Sequence, residues 1–200
     1  LEGAPQKVEG SFECYDNQLT SLVGAPQKVR GGFYCRRNKL TSLEGAPQNV
    51  GGHFVCDRNK LTSLEGAPQK VGLSFFCYYN KLTSLEGAPQ KVGAVFDCSR
   101  NKLTSLEGAP QNVGGHFVCD RNKLTSLEGA PQKVGRDFDC SHNPISEETL
   151  RLIHKTMLDN KCDYHTALTI VKDRLDMKDK LKLGFYKGHE EAARIMSRFV

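Results

Sequence analysis

The chain has 200 residues, 38% of them hydrophobic and 26% charged, with a formal net charge of +5 at neutral pH. That composition can build a packed core, while neither the first 147 residues nor the remainder has the one-sign bias of an electrostatic nucleic-acid binder. No apolar run is long enough to cross a bilayer as a helix, and no secretory signal is visible.

From Leu1 onward the chain is one motif repeated. Leu1, Leu22, Leu43, Leu64, Leu85, Leu106 and Leu127 open seven units of identical length, and the units 43–63 and 106–126 are the same letter for letter. Repetition at this period predicts a solenoid over residues 1–146, right-handed, in which each unit is one coil. The chain opens already inside a unit, so further N-terminal sequence is expected before it.

The first half of the unit, L-E-G-A-P-Q-K-V, is expected to be the return path. Pro5 and its equivalents are incompatible with a helix interior or a central strand. Gly3 allows a tight bend, and Val8 faces the core from the far side. This half is therefore read as a short extended or turn-like stretch.

The second half, F-x-C-x-x-N-x-L, is expected to supply the strand. Phe12 and Cys14 lie two apart and so point to one face, inward. Asn17 turns the chain, its amide meeting backbone groups that the turn leaves unpaired, and Leu19 returns to the core. Stacked units turn these positions into ladders of Phe, Cys, Asn and Leu along a parallel sheet. Lysine ladders (Lys39, Lys60, Lys81, Lys102, Lys123 and Lys7, Lys28, Lys70, Lys91, Lys133) are expected to be offset by the glutamate ladder from Glu2 to Glu128.

Seven of the eight cysteines recur once per unit at an inward slot, without the paired spacing of a metal site. They read as a ladder of small buried hydrophobes. So many free thiols favour a reducing compartment, the cytoplasm. Cys162, near His154 and His165, lacks the partners of a nucleophilic site and reads as a helix-packing residue. No catalytic residue, cofactor or metal site is expected.

At Pro144 the pattern breaks. Ser146 can cap a helix opening with Glu147 and Glu148, and apolar residues at helical spacing follow, including Leu150, Ile153, Met157 and Leu158. Residues 147–200 are expected to form an α-helical C-terminal cap, with a second binding or dimerisation surface as the other reading. Leu1, Val8 and Phe12 leave the N-terminal end uncapped, so self-association is expected through that end or through the tail.

The F-x-C-x-x-N-x-L half resembles the leucine-rich repeat superfamily in a short, proline-containing form. L-T-S-L-E-G-A-P-Q-K-V followed by F-x-C-x-x-N, and the tail opening N-P-I-S-E-E-T-L, are similar to repeat proteins of bacteriophages and giant viruses. The resemblance covers residues 1–147 and implies an interaction module, a viral protein that engages a host factor in the host cytoplasm. Bacterial leucine-rich effectors ending in a ubiquitin ligase are a poorer match, because their catalytic Cys-x-Asp is absent here.

Where the units differ, they are free to recognise something. The variable columns beside Phe and Cys are expected to project outward from the strand face. In units two to four they concentrate Tyr34, Arg36, Arg37, Arg58, Phe76, Tyr78 and Tyr79, with Tyr15, Arg100 and Arg121 flanking. Exposed tyrosine and arginine dominate binding hot spots. Another protein is therefore the expected partner. Nucleic acid stacked on the same Arg and Tyr columns is the alternative, disfavoured by Asp57, Asp97, Asp120, Asp137 and Asp139.

Overall fold

A computed structural model describes residues 1–146. The expected helical cap, and with it Cys162, lies outside the described residues. Each 21-residue unit is one coil carrying two strands of two residues, from β1 (Lys7–Val8) and β2 (Phe12–Glu13) in the first to β13 (Lys133–Val134) and β14 (Phe138–Asp139) in the last. All pairing is parallel and in register between equivalent residues of successive coils, as in Phe54↔Phe75 and Val50↔Val71.

The odd-numbered strands form one seven-stranded sheet and the even-numbered strands another. The return path, expected as a short extended or turn-like stretch, is extended at Lys/Asn–Val, and these pairs line up as a second sheet that the single expected parallel sheet did not include. The proline that argues against a strand is not in it, because Pro5 lies two residues before β1. That leaves the Lys and Val backbone free to pair with the next coil.

Between the sheets lies the core. Leu22, Ala25, Val29, Phe33, Cys35 and Leu40 of the second coil are all buried, and so are their equivalents up to Phe138 and Cys140. The phenylalanines form one continuous stack with ring centroids 5.0–5.6 Å apart, within the range of favourable offset contacts. Leu1, Val8, Phe12 and Leu19 in the first coil are only partly buried. A lone coil cannot cover its own apolar face, and the second coil covers one side of these residues.

The bends use backbone geometry that the sequence hints at and the stack demands. Gly45 has φ +88°, and a Cβ there would sit 2.7 Å from the carbonyl carbon of Leu22 on the previous coil, so glycine is needed twice over. The second bend is held by asparagine. Asn59 is buried; its Nδ2 donates to the carbonyls of Cys35, Cys56 and Asp57, and its Oδ1 accepts from the Leu40 amide. The expected turn asparagine is therefore also a rivet between coils. Preceding it, Asp16, Arg37, Arg58, Tyr79, Arg100, Arg121 and His142 all have φ between 51° and 55°. A non-glycine residue there costs roughly 1 kcal/mol, and the asparagine hydrogen bonds that the bend permits offset it.

The seven repeat cysteines are buried. Burial pushes the thiols of Cys35, Cys56, Cys77, Cys98 and Cys119 well above the usual value, and that of Cys14 to about 11. They are core, as their spacing indicates. Among the described residues there is no helix long and apolar enough to cross a membrane and no cluster of candidate metal ligands.

Candidate binding face

The outer side of the even-numbered sheet carries two columns that the parallel register aligns. Glu13, Tyr34, Val55 and Phe76 follow one another directly across four coils. Two residues further along the chain, Tyr15, Arg36, Asp57 and Tyr78 repeat the same stacking. With His53, these columns line a groove of about 410 Å³ whose walls are Glu13, Tyr15, Tyr34, Arg36, His53, Val55, Phe76 and Tyr78.

Neighbouring coils hold these side chains in place. The Arg36 guanidinium lies 5.0 Å from the Tyr15 ring centroid, a cation–π contact. Phe76 stacks on His53 at 6.2 Å and meets Tyr78 edge-on at 6.3 Å. Gly32 leaves room for Tyr34 to fold back, since a Cβ there would come within 2.5 Å of that ring. The groove is thus walled by aromatic groups that are already ordered.

Beneath it, Asp57 is 1% exposed. Burial raises its carboxyl above the ordinary value, with the Tyr78 hydroxyl and the Arg36 and Arg58 guanidiniums acting in the opposite direction. Burial, and then the Asp57 charge, push the Tyr78 phenol up in turn. Asp57 Oδ1, Arg36 Nε and His53 Nδ1 are buried without a hydrogen-bond partner, so polar groups that have already lost water underlie the groove.

Five of the ten expected binding residues (Tyr15, Tyr34, Arg36, Phe76 and Tyr78) come together here. The other five do not line it. Arg37, Arg58, Tyr79, Arg100 and Arg121 belong to the left-handed bend beyond the strand, and this corrects their expected place on the strand face. The strand is only two residues long, so by that position the chain has already turned. They form a row of their own, in which Tyr79 fills the gap in the arginine column with Arg58 at 5.0 Å and Arg100 at 4.8 Å from its ring centroid. Asp57, expected to project outward, is corrected too, since neighbouring coils bury it. Glu13, His53 and Val55 complete the lining without being among the expected binding residues; Glu13 and Val55 share the column of Tyr34 and Phe76, and His53 stands just before the phenylalanine of its unit.

Further along, the same face changes character. Asp97, Asp120 and Asp139 replace the aromatics, and burial raises the carboxyls of Asp97 and Asp120. His116 belongs to a unit identical to that of His53, yet its Nδ1 lies 2.9 Å from Asp137 Oδ2. The next coil offers His53 no such carboxylate, because Ser74 stands at the equivalent position. Compared with known proteins, the chain matches no family model, no curated protein and no solved structure.

Proposed function

We propose that the chain is a protein-interaction module that takes a segment of its partner into the groove on the first four coils. The supporting observation is the groove itself: aromatic walls, one arginine and one glutamate on ordered backbone. Rigid aromatics lose little conformational freedom on binding, and such pockets are where hot spots concentrate. The acidic far end of the face, with Asp97, Asp120 and Asp139, weighs against the phosphate backbone of nucleic acid there. Kinship with short leucine-rich repeats of phages and giant viruses, a host protein as partner and a reducing cytoplasmic setting belong to the same reading. The repeat wording and the buried repeat thiols support them.

A displayed library of random peptides, selected against the full chain, tests the groove whatever the partner's identity. Selected peptides should lose affinity by about 2 kcal/mol or more on Tyr78→Ala or Tyr34→Ala, and be indifferent to Val23→Ala elsewhere on the surface. Peptides that bind equally well to all three variants would remove the groove from consideration.

A further inference from the structure

A second surface runs along the asparagine bend. Lys39, Lys60, Lys81, Lys102 and Lys123 directly follow the ladder asparagines and are all exposed. None of them has an ion-pair partner among the described residues. The glutamate ladder expected to offset them makes no such contact with them. Among the described residues, five consecutive coils thus carry an uninterrupted row of lysines without ion-pair partners.

This row is regular because its backbone is tied from coil to coil. The Lys39 amide donates to Leu19 O, Lys60 to Leu40 O, Lys81 to Leu61 O, Lys102 to Leu82 O and Lys123 to Leu103 O, at 2.8–2.9 Å. Across the buried asparagines, the arginine column is tied the same way, with Arg58 donating to Tyr78 O at 3.1 Å and Arg100 to Asp120 O at 2.9 Å. Arg37, Arg58 and Arg121 each have an aspartate in ion-pair range, and among the described residues the lysines of this row have none. On the other side of the buried leucines, Thr41, Thr62, Thr83, Thr104 and Thr125 form an exposed hydroxyl column.

We infer that this edge is a rail for an extended polyuronate, an acidic polysaccharide with one carboxylate per sugar ring. Successive lysine backbones are one inter-strand spacing apart, about 4.8 Å, close to the length of one sugar ring in an extended chain. Successive rings of an extended 1,4-linked chain turn their carboxylates to different sides, so those facing the rail recur about every second coil and meet alternate lysines, while the threonine hydroxyls suit the sugar hydroxyls. Phosphates of an extended nucleic-acid strand are more widely spaced and drift out of register. The other lysine ladder is a poorer rail: Asn49 and Asn112 interrupt it, and Lys7 is held 2.6 Å from Glu9.

Oligogalacturonates of increasing length, titrated into the full chain by calorimetry, test this. Affinity should rise with length up to about five sugars, one for each lysine-bearing coil, and should weaken with added salt. The triple variant K60Q/K81Q/K102Q should bind about tenfold or more weakly. The control K28Q/K70Q/K91Q loses the same charge from the other sheet and should keep its affinity. Circular dichroism should show both variants folded, since only exposed side chains change. Absence of binding, equal loss in both variants, or tighter binding of oligothymidylate of equal charge would overturn the proposal. The groove residues are untouched, so peptide binding reports on the other surface independently.

Discussion

The side-chain amide of Asn59 donates to the backbone carbonyl of Cys35, one coil back, at 3.0 Å. Its oxygen accepts from Leu40 of that same coil at 3.0 Å. One buried residue therefore satisfies backbone groups on two coils at once, and Asn38, Asn80, Asn101 and Asn122 repeat the arrangement.

Replacing Asn59 by alanine should therefore cost about 2–4 kcal/mol, because it strands a buried donor and buried acceptors. Asn17, in the first coil, is exposed and bonds only to Cys14 O and Tyr15 O of its own coil among the described residues. Its alanine variant should cost clearly less. Denaturant titrations of the two variants measure the difference, and equal losses would mean that the links between coils contribute little.

Asp57 makes a pH prediction. Its folded-state carboxyl lies above the ordinary value because burial disfavours the charge. Between the unfolded and folded values the native state holds more protons, so this group's contribution to stability falls as pH rises through that window. Above it the penalty is constant. Asp57→Asn removes the penalty, so its melting temperature relative to the parent protein should climb from acidic to neutral pH. A difference that shrinks with pH would show that pairing with Arg36 and Arg58 outweighs burial.

The thiol ladder predicts steep alkaline unfolding. Thiols in the unfolded chain ionise near their ordinary value, whereas burial holds those of Cys35, Cys56, Cys77, Cys98 and Cys119 protonated in the native state. Each one then weakens folding by about 1.4 kcal/mol per pH unit above its unfolded value. Stability should drop sharply above about pH 9. In a Cys162→Ser variant, labelling with a thiol reagent at neutral pH should be slow and rise with denaturant in step with unfolding; rapid labelling of that native variant would contradict the buried ladder.

The repeat made much of the fold legible. Phe, Cys and Leu recur at spacings that can all face inward, and only apolar side chains of modest size stack without voids. The second sheet was harder to see, because a two-residue strand such as Lys7–Val8 has no alternation of its own; its partner lies one whole unit away. The left-handed bend was hidden too, since Arg37, Arg58 and Tyr79 are not residues that announce positive φ.

The sequence by itself determined which apolar ladders are inside, since period and side-chain size settle the Phe, Cys and Leu positions within one unit. The tertiary structure alone decided what the outward positions meet. His53 and His116 belong to identical units, yet one stacks on Phe76 and the other faces Asp137. Their surroundings come from the next coil, and contacts across a full repeat are set by stacking, which no local pattern encodes.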